Sequence, residues 1–110
     1  MSVMQVHRPR AEASMRPSVA LEAHRQEVRD IVSAHHATNP RVFGSAARGN
    51  DTSESDLDLL IDPTAETTLL DVGAIRHELL VLLGVTVDVL TPKALPSRFR
   101  DSVLAEAVPV

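Results

Sequence analysis

The stretch Val42-Phe43-Gly44-Ser45-Ala46-Ala47-Arg48-Gly49, followed after a polar loop by Ser55-Asp56-Leu57-Asp58-Leu59-Leu60-Ile61-Asp62, decides how this chain folds and what chemistry it carries. An apolar strand breaks at Gly44-Ser45, and ten residues separate Ser45 from Asp56. Successive side chains of a strand point to opposite faces. Asp56 and Asp58 are therefore expected on one face, with Leu57, Leu59 and Ile61 on the other. Two carboxylates held that close repel unless a cation lies between them, and a hard, oxygen-ligated ion such as Mg²⁺ meets that need. The acidic strand reads as a metal site.

The turn before it has the makings of an anion site. Gly44 permits close backbone approach, and Ala46-Ala47-Arg48 has the composition of one helical turn closed by Gly49, whose N–H groups would face a phosphate. Ser45 adds a hydroxyl donor and Arg48 a charge-assisted contact. A third acid follows later. In Val85-Thr86-Val87-Asp88-Val89-Leu90, Asp88 falls on the face opposite Val85, Val87 and Val89, and no other acid occurs between Glu78 and Asp101. Each residue alone has a simpler reading: a turn glycine, a capping serine, a surface arginine, a solvated aspartate. Their joint occurrence points to a site.

Gly44-Ser45, ten intervening residues and Asp56-x-Asp58, with Asp88 beyond, resemble the signature of the polymerase-beta-like nucleotidyltransferase superfamily. The small size is similar to that of its minimal members, the MNT or MntA-type antitoxins. The resemblance covers about Arg41 to the C-terminus. It implies that Asp56 and Asp58 are ligands of a pair of Mg²⁺ ions, that Asp88 is the third ligand or a general base, and that Gly44 and Ser45 grip the phosphates, with Arg48 beside them. It further implies ATP as donor and transfer of AMP to a tyrosine of a HEPN-family toxin, with which a hetero-oligomer is expected. The chain contains no Tyr, so a tyrosyl acceptor must lie on another protein, while self-modification at Ser or Thr stays open. The alternative is a non-catalytic antitoxin that binds and occludes its partner. Antibiotic-modifying relatives use an additional acceptor-binding domain, for which this chain has no room.

Composition narrows the remaining classes. A chain of 110 residues, 44% apolar, supports one core and not two. Phe43 and Phe99 are its only aromatic residues, so the core is aliphatic. The absence of Cys excludes disulfides, thiol catalysis and cysteine zinc sites, and cytoplasm is the expected compartment. The run Leu79 to Val87 is interrupted by Gly84 and Thr86 and falls short of the ~20 residues that span a bilayer. No apolar stretch follows Arg8, Arg10 and Arg16, so the N-terminus does not read as a secretory signal. Residues 1–50 carry seven Arg against four acids, and residues 51–110 carry four Lys or Arg against eleven acids. That balance is a solvated surface plus an acidic cluster. Without a basic run or an aromatic platform it argues against nucleic acid as a direct substrate.

Residues 1–17 are polar and unperiodic and read as a mobile leader, with the domain proper over 18–110. A helix capped by Ser18 is expected to run through Leu21, Val28, Ile31 and Val32 until Asn39-Pro40, followed by a strand at Arg41–Phe43. The acidic strand spans Leu57–Ile61 and ends at Asp62-Pro63. Thr68-x-x-Asp71 reads as a capping box for a helix to Leu83, with Val72, Ile75, Leu79 and Leu82 inward and Gly84 as its stop. A strand over Val85–Leu90 and a helix from Ser97 to Ala107, with Phe99, Val103 and Leu104 inward, complete the order. The strand–helix–strand crossover favours an α/β or α+β fold: a small mixed sheet with helices packed on one face. The five histidines lack ligand spacing, and His35 and His36 read as helix-end residues. Lys93 reads as a surface residue.

Overall fold

The computed structural model describes residues 15–110, and Pro17 opens the first helix among them; of the expected leader, residues 1–14 lie outside the described residues. The helix starts there because proline tolerates the first helical position, where its missing N–H breaks no bond. Helix α1 (Pro17–Ala23) and helix α2 (Arg25–Ala34) are separated by His24, whose backbone leaves the helical region. Strand β1 (Ala37–Phe43) runs into the short helix α3 (Gly44–Arg48), and strand β2 (Leu57–Pro63) follows the polar loop. Helix α4 (Leu69–Leu83), strand β3 (Val87–Leu90), a 3₁₀ turn (Pro92–Ala94), helix α5 (Ser97–Glu106) and strand β4 (Val108–Pro109) complete the chain.

The four strands of the described residues form one mixed sheet in the order β3-β2-β1-β4. β1 is antiparallel to β2 and to β4, while β2 and β3 are parallel across the α4 crossover. The expected α+β fold is what forms. β2 is an inner strand, and Leu57, Leu59, Leu60 and Ile61 are all fully buried, so both of its faces are covered. The main core joins Leu57, Leu59 and Ile61 to Val28 and Val32 of α2 and to Ile75 and Leu79 of α4. Burying each such side chain contributes about 1.5–3 kcal/mol. A second, smaller core lies on the opposite face, where Phe43 and Leu60 meet Leu95, with Leu90, Val103 and Ala107 against them. Cover is thus not confined to one face.

α4 forms as expected. Thr68 accepts from the Asp71 N–H while the Asp71 carboxylate accepts from the Thr68 N–H, and Gly84 closes the helix at φ 70°. Other boundaries move. α2 stops at Ala34 rather than at Asn39-Pro40, because Ala37 and Thr38 already pair with Pro63 and Asp62 of β2. Asn39 (φ 52°) and Pro40 lie at a register shift within β1, where a proline with no N–H costs no ladder bond. β3 begins at Val87, although the Thr86 carbonyl already accepts from the Leu57 N–H. In α5, Val103 packs inward as expected, but Phe99 and Leu104 point to solvent. Among the described residues, no helix is long and apolar enough to cross a membrane.

Candidate active site

β1 delivers the chain to the site through Phe43, and Gly44 turns it at φ 73° into α3. A Cβ on Gly44 would fall well inside contact distance of Oδ2 of Asp58, so backbone and carboxylate share a space that only glycine leaves open. Gly49, at φ 79°, closes the turn. Ser45 is half-buried on it, and Arg48 is exposed at its end.

The parallel register places Asp58 directly beside Asp88 on adjacent strands, which lie ~4.8 Å apart. Both project from the face that also carries Leu60 and Leu90. Asp56 stands exposed just before β2 begins, rather than within it. Burial, followed by the negative charges of Asp88 and Asp56, pushes the Asp58 carboxyl above its ordinary range; Arg48 pulls it back and Glu106 adds to the rise. Gly44, Arg48 and the three aspartates thus gather at one end of the sheet. Among the described residues, no three His, Asp or Glu side chains are already closed into a metal-holding cluster. The donor set itself, all carboxylate oxygens beside a glycine cradle, fits a hard divalent cation.

Two acids at this end had no local signal in the sequence. Glu106, from the last turn of α5, accepts from the Gly44 N–H through Oε2 (3.0 Å) and from Arg48 Nη1 through Oε1 (3.0 Å). Asp51, in the loop after α3, is the one buried charged residue among the described residues. It accepts from the Ser18 N–H (2.8 Å) and from the Ser18 hydroxyl (2.9 Å), with Arg16 at 3.5 Å. Ser18 is therefore not itself the cap of α1; the first turn is satisfied by Asp51. Burial disfavours the Asp51 charge, but the Ser18 bonds and Arg16 outweigh it and hold the carboxyl below its ordinary range.

His35 contacts Glu78 at 2.7 Å and His36 contacts Asp71 at 3.3 Å, tying the end of α2 to α4. Lys93 sits exposed on the 3₁₀ turn.

A family model described as a nucleotidyltransferase domain matches residues 21–110. The chain belongs to the nucleotidyltransferase family. The match begins twenty residues before the Arg41 limit expected from the motif, so α2 is part of the family fold. This nucleotidyltransferase is 34% identical over 88 residues to the protein adenylyltransferase MntA of Thermococcus cleftensis, covering 80% of this chain and 86% of that protein. A solved structure described as a candidate minimal nucleotidyltransferase superposes with TM-score 0.77 at 42% identity, over 84% of this chain and 95% of the other. A crystal structure of a toxin–antitoxin with AMP-PNP superposes with TM-score 0.65 at 14% identity, over 76% of this chain and 69% of the other, and shares the fold.

Proposed function

We propose that this nucleotidyltransferase is a Mg²⁺-dependent protein adenylyltransferase, the antitoxin of a HEPN-family toxin, and that it transfers AMP from ATP to a toxin tyrosine. The observation that carries the reading is the side-by-side register of Asp58 and Asp88 beside the Gly44 turn. The relative named protein adenylyltransferase MntA and the toxin–antitoxin fold neighbour with AMP-PNP support it.

In this reading Asp56, Asp58 and Asp88 hold two Mg²⁺ ions, which when bound neutralise phosphate charge and lower the pKa of the acceptor hydroxyl. The Gly44 N–H and the Ser45 hydroxyl grip the triphosphate, and Arg48 meets its charge. The glycine turn lets the phosphates approach the carboxylates without a Cβ in the way. The tyrosyl oxygen then forms a bond to the α-phosphorus, the bond to the β-phosphate bridging oxygen breaks, pyrophosphate leaves and the hydroxyl proton passes to solvent. ATP as donor places this work in the cytoplasm. With no Tyr of its own, the chain needs a tyrosyl acceptor on another protein.

Labelled ATP, the full chain and a purified HEPN toxin test it. AMP should appear on the toxin and be lost with Asp56→Ala and with Asp58→Ala. Neutralisation of the toxin with no transfer would establish occlusion instead.

A further inference from the structure

We propose that Glu106 is a built-in competitor for the phosphate turn, holding in the nucleotide-free protein the donors that a triphosphate must take, so that nucleotide binding requires the end of α5 to let go. The inference rests on the nucleotide reading of the Gly44 turn.

Two donors at opposite ends of α3, the Gly44 N–H and Arg48 Nη1, converge on the two oxygens of one carboxylate, each at 3.0 Å. A planar anion held by a backbone N–H and a guanidinium occupies them as a phosphate would. The carboxylate is not delivered by a free side chain. Glu106 ends α5, and Ala107 leads directly into β4, whose Val108 and Pro109 pair with Val42 and Arg41 of β1. The Val110 N–H donates to the Pro40 carbonyl, and Arg29 Nη1 donates to the Val110 carbonyl at 2.7 Å. An anion tethered on both sides acts at high effective concentration. It also adds a further negative charge near Asp58, in a field that already opposes an incoming triphosphate. The tether scales apparent affinity down to the fraction of molecules in which the turn stands open, and the added charge lowers it further.

The test measures binding of AMP-PNP with Mg²⁺ by calorimetry to the full chain and to Glu106→Gln, Glu106→Ala and Asp101→Asn, the last an exposed acid of the same helix. Glu106→Ala should tighten Kd about tenfold and Glu106→Gln by less, with Asp101→Asn unchanged. Binding by the Glu106 variants where the unmodified chain binds nothing measurable supports the competitor equally. In the unmodified chain, amide exchange over residues 103–110 should quicken when AMP-PNP binds. Binding by the unmodified chain with Kd equal or weaker in both Glu106 variants, or exchange there that slows or stays the same, overturns the competitor and leaves the nucleotide site standing. Binding by none of the proteins overturns the nucleotide site and the competitor together.

Discussion

Gly44 and Asp58 meet across the junction of β1 and β2 so closely that the carboxylate fills the place where a side chain on Gly44 would begin. The contact joins the two halves of the motif, the turn that faces an anion and the acid beside it. It also explains the spacing: the polar loop between them carries the chain from the end of β1 to the start of an antiparallel neighbour.

Gly44→Ala is expected to fail twice. Its φ of 73° costs a non-glycine residue about 1–2 kcal/mol, and the added methyl displaces the Asp58 carboxylate. AMP transfer should fall at least tenfold and the melting temperature should drop. Unchanged transfer in a folded variant would remove Gly44 from the site.

Asp58 sets a pH dependence of one sign. Its folded pKa lies above the ordinary 3.8, so the fold binds that proton more tightly than the unfolded chain, and stability declines as pH rises through the raised value. In metal-free buffer, Asp58→Asn should melt above the unmodified protein at pH 7, the gap closing as pH falls below 3.8, while in buffer with Mg²⁺ its transfer is abolished. Melts recorded across the acid range check this.

Asp51 sets the opposite sign. Its folded pKa lies below 3.8, so its contribution is present above that value and is lost as pH falls through the depressed one. Asp51→Ala leaves the Ser18 donors without their buried acceptor and should cost about 1–3 kcal/mol at pH 7 by denaturant unfolding. The cost should shrink in strong acid. A variant as stable as the parent at neutral pH would contradict it.

Metal removal follows from the acid trio. Chelation should stop AMP transfer and Mg²⁺ should restore it, and Mg²⁺ should raise the melting temperature of the unmodified chain but not of Asp58→Ala. An equal thermal shift in both proteins would place the ion elsewhere.

Thr68→Ala removes half of the capping box of α4 and should cost about 1 kcal/mol without altering transfer, since α4 packs on the face away from Asp58. Denaturant unfolding beside the transfer assay separates the two effects.

How much was legible depended on range in the chain. The ends of α4 could be read because capping bonds link residues three apart and a glycine stop acts on its own backbone. The Asn39-Pro40 pair misled because the same dipeptide that ends a helix also suits a register shift in a strand, and only pairing with β2 distinguishes them. Phe99 fits the spacing of an inward face with Val103, yet it lies under the Arg98 guanidinium at 4.8 Å on the solvent side of α5. Ser18 looked like a cap because its partner is 33 positions away.

Residue order alone determined the glycine turn and the alternation that separates the Asp58 face from the Leu57 and Leu59 face, because each depends on near neighbours, and it pointed to the family, because the identity and spacing of Gly44, Ser45, Asp56, Asp58 and Asp88 are read without any contact between them. Only the tertiary structure decided that Asp58 stands beside Asp88, that Asp51 caps α1 and that Glu106 closes on Gly44 and Arg48. Those contacts span 30, 33 and 62 positions, and strand register and helix docking, which the whole core sets at once, bring such distant groups together.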